Sequence, residues 1–375
     1  MNWGKISLGE ICSPKQWKTI SSKNLKINGY SVYGANGKIG FTDKYTHEKP
    51  TILVTCRGAT CGSINITEPY SYANGNAMAL DSLNEKIIDI NFLKYFLIKR
   101  GFKDVVSGSA QPQIIRQNIV RVEIPLPPID EQQRIAKTLD TLSSIEVNIN
   151  KKIALIEDLE SSFFKNDFEQ DRHSYNKQKV TIMDLVLDQK SSIRTGPFGS
   201  QLLKSEFKES GITVLGIDNV VENQFKWTNK RFISIEKYKS LSRYKVNPGD
   251  VLITIMGTCG RVCVVPEDIG IAINTKHLCA ITIDENLCLP EFLRAYFLYS
   301  KISKTHIKVH TKGAIMDGLN MGIIKSLPIE LPPIENQRRF VEKIIYKKRI
   351  KEKLDIKFDK FKELKGSISK KLLGI

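Results

Sequence analysis

Leu126-Pro-Pro-Ile-Asp-Glu-Gln-Gln-Arg-Ile135 returns late in the chain as Leu331-Pro-Pro-Ile-Glu-Asn-Gln-Arg-Arg-Phe340. A duplicated motif of this length marks an internal repeat, and repeats organise everything around them. The match drifts as it extends outward. Thr51-Ile-Leu-Val-Thr-Cys-Arg-Gly-Ala-Thr-Cys-Gly62 is similar to Asp250-Val-Leu-Ile-Thr-Ile-Met-Gly-Thr-Cys-Gly260, and Phe92-Leu-Lys-Tyr-Phe-Leu97 to Phe292-Leu-Arg-Ala-Tyr-Phe-Leu298. Gly108, followed by Gln111 and Gln113, corresponds to Gly313, followed by Asp317 and Asn320. The halves share an order of elements but few identical residues outside the Pro-Pro motif. The chain reads as a duplicated scaffold with diverged contents.

Each half is expected to be mixed α/β. Residues 51–55, 63–67 and 77–80 are β-rich runs bounded by Gly and Asn, with counterparts at 251–256, 261–265 and 278–283. A helix is expected after each set, over 90–106 and 290–304, with Pro290 suited to a first-turn position. The Pro-rich joints then fix φ and block both helix and sheet, making a stiff elbow into the next helix. After the first elbow, Ile135, Leu139, Leu142, Ile149, Ile153, Ile156 and Phe163 form a near-heptad stripe with a gap at Glu146. After the second, Phe340, Ile344, Leu354, Phe358, Phe361, Ile368 and Leu372 do the same, interrupted by Lys347 and Lys351. Helices of such length would be rods of roughly 45–50 Å. The fold class expected is α+β: two mixed α/β domains, 1–125 and 171–327, separated by two long antiparallel spacer helices in a pseudo-two-fold repeat. The elbow-and-helix segments would be 126–170 and 328–375.

Composition narrows the partner class. The 375 residues carry a net charge of +17, which suggests a polyanionic partner. The excess is concentrated: residues 336–375 hold fourteen basic and five acidic side chains, whereas 131–165 hold five and six. The basic last helix could complement the acidic helix after the first elbow, contact the phosphates of a polyanion, or bind an acidic partner face. No run of eighteen apolar residues and no signal peptide stand in the sequence, so a membrane or secreted setting is not expected. Seven cysteines, an odd number in a long chain, suggest reduced thiols and a cytoplasmic location.

Catalytic motifs are missing. Gly34-Ala-Asn-Gly-Lys38 is too short for a phosphate-binding loop. No Asn- or Asp-Pro-Pro-aromatic motif of the amino-methyltransferase kind occurs, because leucine precedes both Pro-Pro pairs. The five histidines are scattered. His306 and His310 stand four apart without the carboxylate of H-E-x-x-H, and Cys56/Cys61 and Cys259/Cys263 would need to meet across the halves to close a zinc site. No metal site is expected, and buried free thiols are the simpler reading.

Repeat, elbows and missing catalysis together resemble the specificity subunit of Type I restriction–modification systems. Ile124-Pro-Leu-Pro-Pro-Ile-Asp-Glu-Gln-Gln-Arg-Ile135 is very like that family's I-P-L-P-P-x-x-E-Q-x-x-I joint, and the second copy departs from it at Asn336 and Phe340. Tyr30-Ser-Val-Tyr-Gly-Ala-Asn-Gly-Lys-Ile-Gly40 resembles one type of the family's target recognition domain, and Thr195-Gly-Pro-Phe-Gly-Ser-Gln-Leu202 the start of another. The resemblance implies a chain with no catalytic site and no cofactor of its own. Each recognition domain would read one half of a bipartite, asymmetric site in double-stranded DNA, and the helices would set the unread gap. Two methyltransferase subunits would dock on it, carrying S-adenosylmethionine. Two motor-nuclease subunits, using ATP and Mg²⁺, can join them.

Polar residues in Gly-rich connections are the candidates for contacting DNA, since phosphate contacts position a protein and base contacts specify the sequence. In the first domain these are Tyr33, Asn36, Lys38, Arg57, Asn74, Asn76, Gln111 and Gln113. In the second they are Arg194, Thr195, Ser200, Asn219, Lys276, His277, Lys312 and Asn320. Asn and Ser in turns often satisfy local backbone instead, so part of this set is expected to be structural. Arg57 and Arg194 stand out, because a loop arginine beside glycine suits guanine O6/N7 or a phosphate. Competing readings are a specificity subunit of a Type II-like system paired with a fused nuclease–methyltransferase, a self-contained enzyme with an unfamiliar motif, and a coiled-coil RNA-binding adaptor.

Overall fold

The computed structural model describes residues 3–108, 111–170, 177–188, 190–228, 230–311 and 318–375. The chain forms two compact units, one from residues 1–151 with 355–375, the other from residues 152–354.

The first unit is built on a four-stranded antiparallel sheet in the order Ser13–Gln16, Ala77–Asp81, Ile52–Thr55, Ile64–Ile66. Ile52–Thr55 is buried along its whole length, as its unbroken apolar run requires. Beside it stand three strands in which Tyr30–Gly34 pairs antiparallel with Gly37–Thr42 and parallel with Tyr72–Ala73. A two-stranded ribbon, Lys5–Ser7 against Glu123–Pro125, brings the start of the chain to the elbow. Helix Ile90–Arg100 supplies Phe92, Leu93, Phe96 and Leu97 to the core. It ends six residues short of the sequence expectation because Gly101 adopts φ +67°, a conformation an L side chain resists.

The second unit repeats the plan. Its main sheet runs Ile193–Thr195, Leu278–Ile281, Val251–Thr254, Val262–Val264. A second sheet again holds one parallel pair, Ile212–Leu215 with Ala272–Asn274, and the closing ribbon is Gln178–Thr181 with Pro328–Leu331. The helix expected over 290–304 is two helices, Pro290–Tyr299 and Lys301–Thr311, because Ser300 turns extended at ψ 131°. There the Ser303 amide donates to Ser300 Oγ at 3.4 Å, a start signal for the second helix. Phe164, Phe168, Phe292, Tyr296 and Phe340 pack ring against ring in the core, with centroids 5.1–6.3 Å apart.

The repeated motif has a common physical role. The long helices Ile129–Phe164 and Ile334–Leu373 begin directly after each Pro-Pro. Four residues beyond the second proline, Gln132 and Gln337 are fully buried. Gln132 Nε2 donates to the Ile87 and Pro127 carbonyls (both 2.9 Å), and its Oε1 accepts from the Asp89 amide (2.8 Å). Gln337 does the same with Leu287 (3.0 Å), Pro332 (2.9 Å) and the Leu289 amide (2.9 Å). Each amide thus locks an elbow to the N-terminus of the preceding core helix. A buried polar group survives only with such partners.

The stripes also meet as their spacing requires. Ile135, Leu139 and Leu142 lie in or against the first unit's core, as do Leu372 and Leu373 from the last helix. Ile149, Ile153 and Ile156 are half-buried between exposed neighbours. In the second unit Phe340 and Ile344 are buried beside Phe163 and Phe164. Phe358 is buried, and Leu354, Phe361 and Ile368 are half-buried. The polar interruptions pair with each other. Glu146, the gap in one stripe, accepts from Lys365 at 2.6 Å, and Lys347 and Lys351 reach Glu160 (3.2 Å) and Glu157 (3.4 Å). With Lys343–Asp167 at 2.7 Å, the second unit's contacts run in opposite sequence directions, so the two helices are antiparallel there.

Candidate nucleic-acid interface

In the first unit, four loops converge at one rim of the sheets. Thr60 Oγ1 donates to Asn36 Oδ1 at 2.8 Å. The Cys56 amide donates to the Asn76 carbonyl (3.2 Å), and the Gly58 amide to Pro112 (3.3 Å). Arg57 and Gln113 face each other across an isolated β-bridge, and Gln113 exchanges both backbone hydrogen bonds with Ser107 (2.9 Å each). Asn36, Arg57, Asn76, Gln111 and Gln113 are all exposed. Arg57 is exposed and makes no side-chain hydrogen bond or ion pair among the described residues. Lys38 lies on the adjoining strand, where it pairs with Glu68 at 3.4 Å and covers the Phe41 ring.

The second unit uses equivalent loops. Gly196 lies so close to Asn274 and Thr275 that any Cβ would collide with their backbone. The Thr275 amide donates to Leu215 (2.8 Å), and Ile255 to His277 (2.9 Å). These ties draw the loops around an open cavity of about 380 Å³ whose lining includes Phe207, Ile217, Asp218, Arg231, Lys276 and His277. Lys276 is exposed and His277 half-buried; burial first, then Lys276 and Arg231, hold the imidazole below its usual pKa. Burial alone would raise the Asp218 carboxyl, but the Arg231 guanidinium and the Thr228 hydroxyl keep it below the usual range. Ser200 is exposed next to Gly199 of the cavity wall, and Thr195 is half-buried at its strand end.

Four candidates from the sequence are turned inward, and a fifth, Asn320, stays exposed but is engaged as a helix cap; all five are corrected here. Tyr33 is buried, and its hydroxyl accepts from the Glu68 amide. Asn74 is buried and ties down Ile20 and Gly75: Oδ1 accepts from both amides (2.8 and 3.0 Å) while Nδ2 donates to the Ile20 carbonyl. Asn219 joins Gly216 to Lys226 in the same way. Asn320 caps the short helix Met321–Lys325 through the Ile323 amide. Arg194 is spent on Lys245, Ser192, Thr282 and the fully buried Asp250. Burial pushes the Asp250 carboxyl up, and Arg194 pulls it back. Lys312 lies outside the described residues, as does the Gly313/Asp317 counterpart of the first half.

Sequence reading missed Arg231 and Asp218. Exposed Ile217 on the cavity wall, and exposed Phe198 between Pro197 and Gly199 of that wall, were missed too, and apolar groups there suit a thymine methyl. The cysteine pairs are free thiols; Cys56 accepts from Gln16 Nε2 and donates to the Asn76 carbonyl, and burial pushes Cys263 up to about 12. The His306 and His310 rings lie 4.3 Å apart, tilted by 38°, and His306 Nε2 bonds the Ile323 carbonyl. Among the described residues no group of three His, Cys, Asp or Glu is placed to hold a metal ion. No described helix is long and apolar enough to cross a membrane.

The two units carry similar scaffolds with unlike loop rims, and the same duplication appears in the comparison with known proteins. A family profile for the type I restriction modification DNA specificity domain matches residues 1–158 and 198–360. The chain belongs to that family. Its place is among DNA-recognition chains, not catalytic ones. The type I restriction enzyme MjaVIII specificity subunit of Methanocaldococcus jannaschii is 24% identical over 338 residues, covering 86% of this chain and 77% of that protein. The fold matches the crystal structure of the S subunit of the type I restriction–modification system from M. genitalium, with TM-score 0.60, 18% identity and coverage of 99% and 96%. It also matches a chain from a structure on complex assembly and conformational transition of the type I system, with TM-score 0.64, 14% identity and coverage of 99% and 97%.

Proposed function

We propose that this chain reads a bipartite, asymmetric target in double-stranded DNA and directs partner subunits to it. The observation that carries the reading is the duplicated scaffold with different residues at equivalent rim positions. Asn36, Arg57, Asn76, Gln111 and Gln113 offer one set of donors and acceptors, and Ser200, Lys276 and His277 offer another. Unequal surfaces select unequal half-sites. The long helices then fix the length of the unread gap, since a continuous helix cannot change length without losing hydrogen bonds.

Two methyltransferase subunits, which supply S-adenosylmethionine and flip the target adenine, are the partners this reading requires. Two motor-nuclease subunits using ATP and Mg²⁺ complete the restricting assembly in the cytoplasm. The chain itself takes no cofactor. Mapping methylated adenine in the native genome, with and without this gene, tests the proposal. Loss of one split motif is expected; an unchanged methylome, or loss of a palindromic motif, would sink it.

A further inference from the structure

The second unit contains two Arg–Asp pairs of opposite character. Arg194 reaches four acceptors within 2.5–3.3 Å, and its side chain is 12% exposed. Its hydrogen-bonding capacity is committed inside the fold. Arg231 makes one hydrogen bond among the described residues, from Nη2 to Asp218 Oδ1 at 2.5 Å, and both side chains are 29% exposed on the cavity wall. Its Nε, sealed from solvent, has no partner among the described residues, and neither has the neighbouring Thr275 hydroxyl. A buried guanidinium N–H without a partner beside an open cavity is a costly arrangement for a purely structural pair.

The surroundings fit a positioned fork. Asp218 is itself held, since its Oδ2 accepts from the Thr228 hydroxyl at 3.0 Å. Gly216 leaves room that any Cβ would take from Arg231 Nη2. Anchoring one N–H of Nη2 to a fixed carboxylate orients the planar group and leaves Nη1 and the second N–H of Nη2 free to donate side by side.

We propose that Arg231, oriented by Asp218, reads a guanine in the second half-site. This rests on the function proposed above. Guanine alone presents two adjacent major-groove acceptors, O6 and N7, that match two N–H groups of one guanidinium. A phosphate would also accept from Arg231, but contact with phosphate carries no sequence information.

The test uses the full chain with its methyltransferase partners. In cells carrying R231A, one guanine of the second half-site is expected to become degenerate in the methylation motif, with the first half-site and the gap unchanged. D218N should relax the same position more weakly. In vitro, replacing that guanine with 7-deazaguanine should weaken the wild-type complex about tenfold and leave R231A unaffected. An unchanged motif in R231A overturns the assignment. So does uniformly weaker binding with the motif intact, the mark of a phosphate contact. If R231A abolishes methylation, the wild-type complex decides: undiminished affinity for 7-deazaguanine at every guanine of the second half-site overturns it. A wild-type chain that directs no split motif would instead overturn the underlying reading, and this assignment with it.

Discussion

Side chains of one chemical type serve opposite ends in this molecule, and burial separates them. Arg57 is exposed with no side-chain partner among the described residues, whereas Arg194 is enclosed with Asp250, whose side chain is 0% exposed. Removing one member of a buried pair strands the other charge, at a cost of about 3–5 kcal/mol. R194A should therefore lower stability by that order in urea unfolding while leaving the methylation motif of any folded protein unchanged. A shifted motif with unaltered stability would return Arg194 to the reading surface. The elbow glutamines follow the same logic without charge. Q132L would leave two carbonyls and one amide unpaired in the core, so a loss of about 3 kcal/mol is expected. Near-equal stability in denaturant titration would show that the motif is kept for another reason.

Apolar periodicity makes the helical stripes legible in the sequence, because a helix that buries one face must repeat near every 3.5 residues. The breaks in those stripes were visible only as gaps. Their meaning depends on which residue stands opposite, and Glu146 and Lys365 are brought together only by folding. The rims were partly legible for a related reason: turn chemistry locates a loop but does not say which way a side chain points. Asn74 and Asn76 sit two positions apart, one buried and one exposed, and Arg231 carried no signal at all. The Glu146–Lys365 pair, 32% and 22% exposed, should show a coupling of about 0.5–1 kcal/mol in a double-mutant cycle. Replacing both with leucine should be neutral or stabilising, since a partly buried ion pair loses hydration that a leucine pair does not. A large loss on the double replacement would mean that the pair sets helix register.

At the scale of the whole molecule, the chain's last segment completes its first unit. Residues 355–375 belong with residues 1–151. There Leu373 is 1% exposed and packs with Leu372 into the cluster of Ile135, Ala136 and Leu139, while Trp3 approaches Gly374. Core leucines truncated to alanine lose both transfer energy and the contacts around the new cavity, about 2–5 kcal/mol. L373A should thus destabilise the first unit by roughly 3 kcal/mol, although nearly the whole sequence separates it from the strands it supports. Hydrogen exchange gives the decisive pattern, because protection reports local and subglobal opening separately. Amides of Ile52–Thr55, Ala77–Asp81 and Ile90–Arg100 should exchange faster, while those of Val251–Thr254, Leu278–Ile281 and Pro290–Tyr299 keep their protection. Faster exchange confined to the last helix would mean that the first unit stands without it, and equal loss in both units would mean that the two do not unfold separately.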